Sequence, residues 1–482
     1  MKHMIRITLL AFVTAGVTVH ATAQWRCLYA TYDDETNGTG NNTPSVGVIA
    51  EDIFVSLVLA PNLRNYMIPY VNADSAMGRV NFAGYFPAPP SGPTVFQFWT
   101  DGVFDQVALS NAAKLVATPD SLIYVANNDV NHNALVFKFT GDTVTAVSPY
   151  LRQETGSNRI FGIAVDANGY VYVCNDTSQL ASDDIKIYNP ITQWTSHNDT
   201  PVRTIDLPDG VYRGITVSPS GDQLFVCDYG NRKIVKYTGS PGTGYTEDGT
   251  FAFQLSLTDT IPNTSHVPGP INLAYLESNN ILAAAVDAHG YTSATRAYNY
   301  GRIYLINPFT GGLISNDSSV SVIDVAQWNL DVTGGYSSRS GEGTASGYTS
   351  TYDVDFDENG NVYSQSHFGW TVEKWSYNGT LPVISGVERV SNTLPEAFRL
   401  EQNYPNPFNP ATTIEFTVLT TGTVSLKVHD LLGREVAVLA QGQMATGTYR
   451  ATFDAQNLPG GIYFYTLQTH DGSVTKKMTL VK

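Results

Sequence analysis

Three histidines, two cysteines and one run of carboxylates are the residues of this 482-residue chain whose types and spacing could do chemistry. His132, His289 and His367 each follow the end of an apolar run by a few residues. Zinc needs three or four converging ligands, and side chains from such distant segments could converge only on a common axis. They are read as loop histidines, and no metal is assigned. Asp355-Phe356-Asp357-Glu358-Asn359-Gly360 fits the first half of a calcium loop, but Ser366 stands where the bidentate carboxylate belongs. A hairpin turn accounts for the run, and calcium is the one cofactor the residues leave open. No H-E-x-x-H, paired C-x-x-C or G-x-S-x-G occurs, so no catalytic residue is assigned. Cys174 and Cys227 fall at the same point of successive segments. In stacked sheets they would lie roughly 10 Å or more apart, beyond the Cα limit of about 7 Å for a disulfide. Both are expected to be buried thiols.

The elements that carry these residues repeat. Lys114–Asn128, Gly162–Asp176, Gly214–Tyr229, Ile271–Asp287 and Tyr352–Phe368 share one layout: strand, tight polar turn, strand, polar end. Turns such as Asp166-Ala167-Asn168-Gly169 and Asp357-Glu358-Asn359-Gly360 supply the positive-φ residue that a tight hairpin requires. A third strand follows each hairpin, and a fourth follows most. Short antiparallel strands in fours, repeated along the chain, are the pattern of propeller blades. A weaker unit precedes them, with strands at 46–58, 65–71 and 79–86 and another at 95–99. The fold class is therefore all-β: a six-bladed propeller, with seven blades as the alternative, followed by a small C-terminal β-sandwich. Either Trp25–Asp33 or Val383–Val390 is expected to close the ring, since an open edge invites aggregation.

Two segments, Phe161–Tyr188 and Arg213–Tyr237, resemble NHL-type propeller repeats, as in Gly162-Ile163-Ala164-Val165-Asp166-Ala167-Asn168-Gly169-Tyr170-Val171. The resemblance speaks to fold alone, because propellers host unrelated functions. If each hairpin is the middle pair of a blade, the long insertions at 128–133, 176–184, 287–301 and 328–350 all leave the ring at one end. That end collects Asn128, His132, Asp176, Asp228, Tyr229, Asp287, His289, Tyr336, His367 and Trp370. Aromatic and Asn/Asp side chains of this kind suit a sugar or peptide surface, although any one of them alone is equally a turn residue. Binding of a glycan, peptide or surface partner is the reading the residues favour over catalysis. A metal-dependent lactonase-like or lyase-like propeller enzyme and a structural cell-surface component are the alternatives.

Composition changes near residue 395. The chain has 43 acidic and 27 basic side chains, yet residues 395–482 hold equal numbers of each, so the acidic excess lies upstream. That excess and the absence of a basic patch argue against a nucleic-acid partner. The tail has four ordered motifs. The first is Tyr404-Pro405-Asn406-Pro407-Phe408-Asn409-Pro410, followed by a segment containing Asp430-Leu431-Leu432-Gly433-Arg434. Then come Gly461-Ile462-Tyr463 and the ending Lys476-Lys477-Met478-Thr479-Leu480-Val481-Lys482. Together they resemble the type A C-terminal sorting domain of the type IX secretion system. The resemblance implies export from a Bacteroidetes-type cell, contact with the secretion machinery, and removal of the tail with release or surface anchoring. At the other end, Lys2 and Arg6, the apolar run Ile7–Val19 and Ala21-Thr22-Ala23 read as a secretory signal peptide cut after Ala23. The run is too short for the roughly 20 residues that span a bilayer. The expected units are a signal peptide at 1–23, a propeller at 24–385, a linker at 386–394 and the sorting domain at 395–482.

Overall fold

Runs of β-branched and aromatic residues broken by Gly, Asn and Asp turns dictate short antiparallel strands, and these dominate the computed structural model of the chain. It describes residues 24–30, 42–60, 64–71, 95–100, 103–109, 112–127, 133–140, 143–151, 159–176, 184–194, 200–255, 267–287, 301–315, 317–328, 351–366, 371–384, 387–391, 397–420, 422–444, 446–455 and 458–482. The expected signal peptide lies outside them. Among the described residues no helix is long and apolar enough to cross a membrane.

Among the described residues, six sheets of three or more strands build the large unit. The first holds Asn42–Ala50, Ile53–Ala60 and Arg64–Val71. The second runs Lys114–Ala117, Leu122–Ala126, Ala134–Thr140 and Thr143–Leu151. The third is Arg159–Val165, Val171–Asp176, Asp184–Tyr188 and Arg203–Asp206. The fourth is Tyr212–Val217, Gln223–Asp228, Lys233–Ser240 and Gly244–Glu247, with Phe253–Gln254 also paired to Lys233–Ser240. The fifth is Gly269–Leu276, Ile281–Asp287, Arg302–Ile306 and Val322–Asp324. The sixth is Thr351–Phe356, Val362–Ser366, Thr371–Tyr377 and, from the other end of the chain, Trp25–Ala30.

A separate hairpin, Val95–Thr100 with Val103–Ala108, packs beside Thr143–Leu151. The first turn of every sheet carries a left-handed residue: Asp52, Ser121, Gly169, Gly221, Asn280 and Gly360.

The first strands of the six sheets lie side by side in a closed order, the sixth returning to the first. Each sheet buries both faces against its neighbours. Val55, Leu57 and Met67 meet Leu115 and Phe137 between the first and second sheets. Tyr29, Val372 and Tyr363 meet Val46, Phe54 and Tyr70 between the sixth and first. This is a β-propeller core: a ring of apolar layers with no single centre.

Two expectations need correction. The hairpins are the two innermost strands of each sheet, not the middle pair; the fourth strand pairs with the third of its own sheet, as Lys186↔Thr204 shows. Residues 387–391, expected within a linker, form a strand, Val387–Ser391, paired with Tyr449 and its neighbours. Of the two segments expected to close the ring, Trp25–Ala30 does so, with Trp25 opposite Tyr377.

The tail is a two-sheet sandwich. One sheet orders Val383–Ile384, Glu435–Met444, Gly422–His429, Gly461–Thr469 and Gly472–Leu480, and the other Val387–Ser391, Gly447–Asp454 and Ala411–Val418. Ile414, Phe416, Leu426, Tyr465 and Met478 fill the space between them.

Candidate functional site

The strand pairings sort the ring into two ends. Antiparallel order puts the tight hairpin turns at one end. At the other lie the joins between second and third strands and between successive sheets. Shifting the blade by one strand leaves this partition unchanged. The long insertions therefore still leave and rejoin at one end, marked by the pairs Ala126↔Ala134, Arg159↔Asp176, Gly269↔Asp287 and Thr351↔Ser366.

Of the residues expected to bind there, Asn128, His132, His289, Tyr336, His367 and Trp370 lie outside the described residues, and Asp176 is placed by its backbone alone. Asp228, Tyr229 and Asp287 are in view, and each has structural work. Asp228 is buried and accepts the Asn231 amide at 3.0 Å and its side-chain Nδ2 at 2.9 Å. Asp287 is buried and accepts the Thr351 amide at 2.8 Å, tying the fifth sheet to the sixth. The Tyr229 hydroxyl donates to the Val267 carbonyl at 3.3 Å. Its ring sits against Gly269, where an added Cβ would come within 2.7 Å of it. The Arg213 guanidinium lies 5.8 Å from that ring's centroid and 4.8 Å from the centroid of Phe161, joining the third and fourth sheets by a cation–π contact.

The axis of the ring is more eventful than the sequence suggested. A channel of about 1030 Å³ is lined by residues from the first strands of all six sheets, from Val48 through Val116, Ala164, Val217 and Ala274 to Asp355. It reaches the tight-turn end, where Asp120, Glu277 and Glu358 stand at the hairpins. Lys114 also lines it and is buried. Its Nζ donates to Asp353 Oδ1. The other Asp353 oxygen takes the Ser45 hydroxyl and, at 3.1 Å, the Val46 amide. Burial pushes the Asp353 carboxyl up, and Lys114 opposes the shift.

One turn of pleat away, Asp355 accepts the Val48 amide at 2.8 Å and the Phe356 amide at 2.9 Å. Burial raises it to about 6, against the pull of Lys114. The alternation Asp353-x-Asp355-x-Asp357 was the available signal, since period two puts all three on one side of a strand. Asp357 goes instead to the turn, accepting the amides of Asn359 at 3.0 Å and Asn361 at 2.9 Å. The hairpin account of 355–360 fits these bonds.

Among the described residues no group of three or more His, Cys, Asp or Glu side chains is placed to hold a metal. Of the nine histidines only His429 and His470, both in the tail, are among them. Cys174 and Cys227 are buried thiols not joined in a disulfide, and Cys27, also outside any disulfide, is half-buried.

In the tail, the motif residues fall into two groups. Phe408 is buried, and its backbone bonds Thr479 at 3.0 Å and Val481 at 2.9 Å. Asn406 Oδ1 accepts the Thr479 amide at 3.0 Å, and the Tyr463 hydroxyl donates to the Pro459 carbonyl at 2.6 Å. The peptide bonds before Pro405, Pro407 and Pro410 are all cis. Asp430 shapes a turn by accepting the amides of Leu432 and Arg434, both at 2.9 Å, with Gly433 at φ 78°. Tyr404, Asn409, Gly461, Lys477 and Lys482 are exposed, and Lys476 is half-buried.

Among curated proteins, no match to the chain is found. Three of the solved structures similar to the chain are as follows. The Cps50 (Swd1) β-propeller domain of Myceliophteria thermophila is 10% identical, with a TM-score of 0.37 over 71% of this chain and 99% of that one. A protein from Lactobacillus plantarum is 11% identical, with a TM-score of 0.37 over 86% of this chain and 88% of that one. A protein of unknown function from Bacteroides thetaiotaomicron is 10% identical, with a TM-score of 0.43 over 74% of this chain and 76% of that one. Residues 402–481 match the family described as the secretion system C-terminal sorting domain. The chain is thus a β-propeller carrying a type IX secretion sorting domain at its C-terminal end, which directs it to the cell surface or the medium.

Proposed function

We propose that the exported propeller, six-bladed and with NHL-like repeats, is a binding module. In this reading residues 1–23 are a signal peptide, and a glycan, peptide or surface partner is held at the long-insertion end of the ring. The observation that carries the reading is the shared placement of four insertions, 128–133, 176–184, 287–301 and 329–350; residues 72–94 leave the ring at the other end, after Val71. Every segment longer than a tight turn between second and third strands joins the ring there, and so does the 329–350 stretch. Long loops on a rigid scaffold are where recognition usually resides. The test is a glycan array and a surface pull-down with the full chain and with a variant in which residues 331–349 are replaced by a short Gly/Ser bridge. Loss of binding in the variant, with an unchanged thermal midpoint, supports the reading. Undiminished binding by the variant places recognition elsewhere.

A further inference from the structure

The axial channel opens at the end opposite the insertions at 128–133, 176–184, 287–301 and 329–350, so it is a separate site from the one proposed above. Its walls are aliphatic strand residues, which favour an apolar stem. Its charge is one-sided. The one cation among its lining residues, Lys114, has its ammonium on Asp353. Asp355 faces the channel with two backbone donors on its carboxylate, and each oxygen keeps acceptor capacity for a further partner. Glu277 and Glu358 stand exposed at the mouth. Tyr124, Tyr275 and Phe356 also border the channel, but their rings pack into the apolar layers between sheets and leave the carboxylates as its polar groups. Carboxylates at the end of an apolar tube are the chemistry that recognises an ammonium group on an aliphatic stem. An anion would meet the rim carboxylates, and a neutral alcohol would forgo them.

We propose that this channel binds an organic ammonium ion carried on an aliphatic stem, entering at the tight-turn end with its charge against Asp355 and the Glu277 and Glu358 rim. The site needs neither the long insertions nor a metal, and its failure would leave the binding surface at the other end untouched.

The experiment is calorimetric titration of the folded full chain with n-hexylammonium, n-hexanol and hexanoate. Support consists of saturable hexylammonium binding at least ten-fold tighter than hexanol, with hexanoate weaker still. Asp355→Asn should then lower hexylammonium affinity about ten-fold and leave hexanol unchanged, as expected for one charge-assisted contact. Because Asp355 also takes two backbone bonds, the exposed pair Glu277→Gln/Glu358→Gln is a second arm. It should weaken the cation two- to three-fold and reduce the salt dependence of binding. Equal affinity for hexanol and hexylammonium, tighter binding of hexanoate, no saturable binding at millimolar ligand, or indifference of the cation to both variants each overturns the proposal.

Discussion

At the scale of single residues, the axis of the ring concentrates electrostatic free energy. The raised Asp355 carboxyl makes a signed prediction. Its folded value of about 6 exceeds the ordinary 3.8, so the folded state takes up a proton before the unfolded chain does. Its contribution to stability is fully present below about 3.8 and is lost as pH rises through about 6. The shift corresponds to about 3 kcal/mol. Asp353, Asp357 and Asp166 are also raised by burial and add to the same slope. Asp248, Asp317 and Asp430 are lowered, but they act only below the ordinary carboxylate range. Thermal midpoints between pH 4.5 and 7.5 should therefore fall with rising pH, and less steeply in Asp355→Asn. An identical slope in the variant would refute the assignment. Lys114 gives a complementary test. Lys114→Met strands the buried Asp353 carboxylate, which should cost about 3–5 kcal/mol in urea unfolding. Adding Asp353→Asn should recover at least half, since the amide removes the stranded charge and keeps an acceptor. No recovery would mean that the lysine matters through its packing. Little of this axial pair was legible beforehand, because Lys114 and Asp353 are 239 residues apart and nothing local marks two such side chains as partners.

At the scale of elements, the hairpins were readable and their grouping was not. Alternation and turn chemistry locate Leu122–Ala126 and its equivalents, but a strand following a hairpin looks the same whether it pairs forward or back. The tail strand Glu435–Met444 is hard to read from the sequence for a clearer reason. Ala437, Val438, Leu439 and Ala440 are all buried, so the segment lacks the period-two pattern of a half-exposed strand. One face joins the sandwich core, while Val438 joins the core between the fifth and sixth sheets. Ring closure by Trp25–Ala30 is the element whose removal is most telling. Trp25 Nε1 donates to the Val320 carbonyl at 3.0 Å. The Tyr29 hydroxyl donates to Asp52 at 2.8 Å, and Lys374 reaches the same carboxylate at 2.7 Å, so the first and sixth sheets are clasped together. A chain beginning at residue 31 exposes the edge of Thr371–Tyr377 and loses two buried aromatics, each worth about 3–5 kcal/mol. Light scattering should show it oligomeric or aggregating and calorimetry should show a lower midpoint. A monomer of unchanged stability would show that the strand is dispensable.

At the scale of the whole molecule, the sorting tail is docked on the propeller. Val383 and Ile384 pair in parallel with Ala437 and Val438. Asn279 Nδ2, in the fifth sheet's first turn, donates to the carbonyls of Leu381 at 3.2 Å and Pro382 at 3.3 Å, fixing the chain as it leaves the ring. The matched family begins at residue 402, after both Val383–Ile384 and Val387–Ser391, yet each of these strands fills an edge of one sandwich sheet. A tail starting at 402 therefore leaves Gly447–Asp454 and Glu435–Met444 each with an open side, and open sheet edges favour misassembly. Reporter fusions in a host with a type IX system test the consequence. A reporter carrying residues 383–482 should reach the surface or medium several-fold more efficiently than one carrying 402–482, and the shorter fusion should be the more readily degraded in the periplasm. Adding Val387→Pro to the longer fusion removes the amide at the head of the strand that pairs with Gly447–Asp454 and should lower its export toward the shorter one. Equal export by all three would confine the signal to the residues after 402 and reduce the two upstream strands to packing between the propeller and its tail.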